Sequence, residues 1–182
     1  MAGDGSDGRD TAARPKCVVY FCALEAACLG GGVPALKVEL ARLAAVRAAE
    51  EGCSEAAAAR AIVLEARGDE DGQTALHMMA RKWSQDGESP CGRLDRMRCL
   101  LEAAGGDAAR LATLRPAYRD QRRGTTPLYA ECLRRPPSAA AVACLLAHGA
   151  DATATTNMLG KTPRAIVGSG DPPLAALLEL AA

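Results

Sequence analysis

A leucine stands at positions 24, 76 and 128, so two equal intervals of 52 residues separate three copies of one short string. The strings are Cys22-Ala23-Leu24-Glu25-Ala26, Thr74-Ala75-Leu76-His77-Met78 and Thr126-Pro127-Leu128-Tyr129-Ala130. Units of this size cannot bury their own apolar faces and must stack on their neighbours, which is the defining constraint of a solenoid. The expected fold is therefore an all-α repeat solenoid, with function on its surface and not in a cleft. Thr74 and Thr126 are placed to cap a helix through the hydroxyl, and Pro127 suits the first helical turn, where its missing N–H costs nothing. Leu24, Leu76 and Leu128 then point into the stack.

Longer strings narrow the choice. Gly72-Gln73-Thr74-Ala75-Leu76-His77-Met78-Met79-Ala80 and Gly124-Thr125-Thr126-Pro127-Leu128-Tyr129-Ala130 resemble the G-x-T-P-L-H-x-A opening of ankyrin repeats. Cys99-Leu100-Leu101 and Val142-Ala143-Cys144-Leu145-Leu146-Ala147-His148-Gly149-Ala150-Asp151 resemble the second helix of that family and its Gly-Ala-Asp exit. A further opening stands at Gly160-Lys161-Thr162-Pro163. The resemblance covers roughly residues 17–182. It implies helix-turn-helix units joined by finger loops, and it implies that His77 is structural, its ring nitrogens tying adjacent turns together. Independently of the family, Gly149 suits a left-handed helix cap and Asp151 suits a turn that bonds backbone amides.

The units are irregular. Against a family period of about 33 residues, Leu76 to Leu100 and Leu100 to Gly124 each span 24 residues, and so do Leu24 to Ala48 and Ala48 to Gly72. Two successive units thus share two enlargements, as an internal duplication would produce. In the second unit the enlargements lie around Trp83–Arg93 and Asp107–Arg123. The expected division is a disordered leader 1–16 and a repeat domain 17–182, with units 17–71, 72–123 and 124–159 and a short cap 160–182. Tyr20 and Ala48-Ala49 make the first unit degenerate, and Arg164 takes the leucine position of the last. Ser54 and Asp107 open alanine-rich runs in the two long fingers, so each finger is expected to hold an added short helix packed back through Ile62 or Leu114. Cys17–Cys22 has strand-like composition, but its register with the repeats places it in a helix.

Net charge is zero, yet Glu50–Asp71 holds seven acidic and two basic residues, while Arg110–Arg135 holds seven arginines against Asp120 and Glu131. Two readings follow: neighbouring fingers attract one another, or the arginines form a patch for an acidic partner segment. Nucleic acid is disfavoured, because the chain is not basic overall and carries no interleaved aromatic residues. No run approaches the ~20 apolar residues of a membrane span, and the leader carries aspartates where a secretory signal wants basic residues; an intracellular, cytoplasmic or nuclear protein is expected.

The eight cysteines show no C-x-x-C pair, and His77 and His148 are the only histidines, so zinc spacings are absent and buried structural thiols are expected. Gly160-Lys161-Thr162 lacks the earlier glycine of a phosphate-binding loop, since position 155 is Thr155. No nucleophile is paired with His77 in sequence. No cofactor, metal or catalysis is expected. Trp83 is either a lid on the core or an exposed anchor.

The expected function is binding of another protein, by a monomer, through the concave surface that the resemblance implies. The residues placed there are Met78, Arg81, Lys82 and Trp83 from one first helix, Glu131, Arg134 and Arg135 from the next, and Arg119, Arg122 and Arg123 from the finger between. Two alternatives stand beside it. One is an adaptor recruiting a ligase, similar to viral ankyrin-type host-interaction proteins, although no F-box-like segment is present. The other is an enzyme or nucleotide binder.

Overall fold

The computed structural model describes residues 16–68, 72–81, 90–115, 124–155 and 160–182. Every regular element among these residues is helical, as expected for an all-α chain. In order they are α1 (Lys16–Gly30), α2 (Gly32–Glu51), α3 (Glu55–Glu65), α4 (Ala75–Arg81), α5 (Pro90–Ala104), α6 (Ala108–Thr113), α7 (Pro127–Cys132), α8 (Ala139–Ala147), α9 (Pro163–Val167) and α10 (Pro172–Leu180). The strand-like run Cys17–Cys22 lies inside α1. Residues 1–15 of the expected leader lie outside the described set.

Local chemistry sets where the helices begin. Thr74, Thr126 and Thr162 each stand just before a helix, and their hydroxyls accept from the amides of His77 (3.3 Å), Tyr129 (3.2 Å) and Ala165 (3.3 Å). Pro127 and Pro163 occupy the first turn after two of these caps. Ser54 accepts from the Ala57 amide, Ser138 from the Ala141 amide and Asp171 from the Leu174 amide. Each such cap stabilises its helix by about 1 kcal/mol. Between α1 and α2 the chain reverses over Gly31, where any Cβ would overlap the Cβ of Ala35. Among the described residues, no helix is long and apolar enough to cross a membrane.

The helices pack in series. α1 lies against α4, α4 against α7 and α7 against α9; α2 lies against α5 and α5 against α8. Consecutive pairs α1–α2, α4–α5, α7–α8 and α9–α10 also touch, and α3 meets α6. Leu24, Leu76 and Leu128 are 0%, 1% and 0% exposed, and they share one apolar core with Leu36, Leu100, Leu101 and Leu145. Full burial of a leucine is worth roughly 2 kcal/mol against leaving it in water. Leu174 and Leu178 of α10 close the core at the C-terminal end.

The enlargements take different forms. In the first unit the extra length between Leu24 and Ala48 is absorbed into the long helices α1 and α2. In the second, residues 82–89 lie outside the described set and α5 follows. Both fingers contain the expected helix, α3 and α6. Ile62 is fully buried as expected, but the second anchor is shifted: Leu111 is 1% exposed, whereas Leu114 is half-buried beside the core. Leu114 contributes its carbonyl instead.

Candidate partner-binding surface

His77 sits in the first turn of α4, 2% exposed. Its Nε2 lies 3.0 Å from the carbonyl oxygen of Leu114, and its Nδ1 lies 2.8 Å from Thr74 Oγ1. A carbonyl only accepts, so Nε2 carries the hydrogen and Nδ1 accepts from the Thr74 hydroxyl. The ring thereby ties α4 to the end of the α6 finger. Burial pushes its pKa down to about 4, with the Leu114 carbonyl pulling the other way. Tyr129, at the same place in the next string, is 3% exposed.

α5 carries two arginines on its buried side, Arg93 and Arg96, each 5% exposed. Arg93 Nη1 donates to Glu131 Oε2 at 2.5 Å and Nη2 to Glu131 Oε1 at 3.1 Å. Arg93 Nη1 also donates to the Met79 carbonyl at 3.1 Å. Glu131 Oε1 accepts in addition from the Ser138 amide at 3.0 Å, and Arg134 Nε lies 3.7 Å from it. The Arg93 and Glu131 side chains are 6% and 0% exposed. One bidentate pair, fully out of water, therefore joins α5, α7 and the start of α8. Geometry of this kind is needed before mutual attraction offsets desolvation.

This cluster corrects part of the expected surface. Glu131 is not a partner contact: it faces α5 of the preceding pair of helices. Met78 is likewise buried, at 8%, because α4 is covered along its length by α1, α5 and α7. Arg134 is half-buried beside Glu131; burial, with the Arg93 charge next to it, holds its guanidinium below the ordinary value. Arg81 and Arg135 are exposed. Arg135 Nη1 bonds the carbonyls of Cys132 and Arg134, folding over the end of its own helix. Lys82, Trp83, Arg119, Arg122 and Arg123 lie outside the described residues.

The expected attraction between an acidic and a basic finger takes another form as well. Arg47 of α2, 9% exposed, binds Glu51 at 3.0 Å and Glu65 at 2.9 Å and stacks 5.8 Å from the Tyr20 ring centre. Two carboxylates of the acidic stretch are thus paired within the first unit. Among the described residues an ion pair joins the fingers, Arg60 to Asp107 at 3.5 Å, with the basic residue on the acidic finger. Both of its side chains are well exposed, so it adds little stability.

Sequence reasoning missed the concavities, among them one over the first unit. A groove of about 410 Å³ runs between α2, α3 and α5 over Leu40, Ala44, Ala56 and Ala59, with Lys37 and Glu102 among its lining. Its signal was the alanine richness of α2 and α3, since small side chains on packed helices leave a furrow between them. Cys99 is also in its lining, the thiol raised by burial and so unreactive. No protein-family model matches the chain, and no curated protein matches it significantly in sequence.

Proposed function

We propose that this chain is an ankyrin-type solenoid that binds another protein through the side formed by its first helices and fingers, and that it has no chemistry of its own. The observation that carries the reading is the serial packing of α1, α4, α7 and α9, with α4, α7 and α9 opened by the same threonine cap and the first string lying inside α1. The His77 bridge from α4 to the Leu114 carbonyl agrees with it. Within the described residues Arg81 and Arg135 are accessible positive charges on this side, and Arg110 and Arg115 of the second finger are exposed as well; the sequence adds Lys82, Arg119, Arg122 and Arg123. Arginine is among the residue types that tend to carry interface energy, and an acidic segment of a partner is the matching chemistry.

The test uses a protein partner retained from cell extract and identified, then measured with purified components. Association should slow as salt rises, and Arg81→Glu with Arg135→Glu should slow it further without lowering the melting temperature. An affinity indifferent to both salt and the double reversal would reduce the arginines to a solvated face and overturn the reading of this side.

A further inference from the structure

Beyond Lys16 at its start, the water-facing side of α1 is apolar. Val19 and Leu29 are 49% and 42% exposed, and Cys22 and Ala26 between them are exposed as well. Spacings of three, four and three residues put these four side chains within an arc about 80° wide. No charged residue lies on that arc. Other long helices mix charge into their exposed sides: α2 exposes Val38 and Val46 but sets Lys37, Arg42 and Glu50 among them, and α5 presents Asp95, Arg98 and Glu102. A continuous exposed apolar stripe on a helix marks a surface that another surface ordinarily covers.

The pattern names its own occupant. Val19 and Leu29 are equidistant from position 24, and so are Cys22 and Ala26. The order is large, small, small, large, and it reads the same in both directions. Two copies of α1 laid antiparallel about a two-fold axis at that level would set Val19 against Leu29 and Cys22 against Ala26 of the other copy. The small central pair lets the backbones approach, and the large pairs fill the ends. With no charge on the arc, the self-contact brings no repulsion, and a two-fold contact requires one patch to be self-complementary in this way. The segment Met1–Pro15 offers no match, since beyond Met1 it contains no large apolar residue and carries three aspartates. A lipid surface would want basic residues along the rim of the stripe, and only Lys16 stands near it.

We propose that this protein self-associates through α1, forming a two-fold dimer in which the Val19–Cys22–Ala26–Leu29 stripe of one copy covers that of the other. This replaces the monomer expected from sequence. One helix face is smaller than the ~800 Å² per partner of a standard interface, so the dimer is weak and forms as concentration rises.

Sedimentation velocity of the full chain, from low micromolar to near-millimolar, should show reversible dimerisation. Ala26→Arg should weaken it at least ~100-fold by setting two like charges into the contact, with helix content and melting temperature unchanged. In a Cys53→Ser background, Ala26→Cys should give a disulfide-linked dimer on mild oxidation with diamide, through Cys22 of the other copy, and the link should vanish when Cys22→Ala is added. A chain that stays monomeric throughout, a dimer that survives Ala26→Arg, or a cross-link that persists without Cys22 would each overturn the proposal.

Discussion

Replacing Glu131 by alanine separates a buried structural role from a surface one. In the folded protein Glu131 holds both terminal nitrogens of Arg93 and the Ser138 amide. Alanine leaves the Arg93 cation without its counter-charge and the amide without its acceptor. Removing one partner of a buried pair costs about 3–5 kcal/mol. For a chain of this size each kcal/mol moves the midpoint by about 2–4 °C, so the loss should lie in the range of about 6–20 °C. The double variant Arg93→Met/Glu131→Ala removes both charges and keeps an apolar stem in place of the arginine. It should be more stable than Glu131→Ala alone, with a coupling of about 2 kcal/mol between the two sites. With Arg93→Met alone as the third variant, urea denaturation followed by circular dichroism measures the three losses from which the coupling is taken. Additive losses, or a Glu131→Ala variant within about 1 kcal/mol of the parent, would refute the account and return Glu131 to the surface.

Two further outcomes follow from titration and reactivity. His77 is held neutral, its pKa lowered from 6.5 to about 4, so its contribution is complete above its unfolded value and is lost as pH falls from 6.5 towards 4; the difference is about 3 kcal/mol. Ring-proton NMR should show no His77 titration near neutral pH, and a midpoint near 6.5 would contradict the buried bridge to Leu114. Cys22 and Cys53 are exposed, whereas burial pushes Cys28 and Cys132 up to about 12. A thiol reagent should therefore label the first two in the native protein and the second two only on unfolding, and early labelling of Cys132 would show that α7 opens.

The helical class, the buried leucines at 24, 76 and 128, the threonine caps and the two finger helices were legible in the sequence, because each rests on short-range spacing or on cap chemistry. The binding surface was legible only in part. Periodicity gives the angle of a side chain about its own helix but not what stands opposite, and α4 is so short and so covered that Met78 has no open side. Glu131 misled for a related reason: a lone acid among arginines reads as solvated, while its counter-charge, Arg93, lies 38 residues earlier. The clue was an arginine four residues before Met97, on the side of α5 that also carries Leu100 and Ala104. The stripe on α1 was visible as an apolar run, but its exposure emerges only once Leu24 is seen to face inwards.

Gly149 carries a consequence for how this sequence can drift over generations. Its φ is +83°, and a Cβ there would stand 2.7 Å from the Cβ and 3.3 Å from the Cα of Ala109 on α6. Positions 109 and 149 are therefore not free to vary independently. Ala109 is exposed, so a larger residue there can turn its added atoms to solvent, whereas any side chain at 149 meets both the collision and a left-handed backbone. Shrinking Ala109 to glycine relieves only the closer contact. The dependence is asymmetric: change at 109 can be accommodated towards solvent, whereas change at 149 has no single-step compensation. In a library that randomises both sites, survivors should vary at 109 and almost always keep glycine at 149.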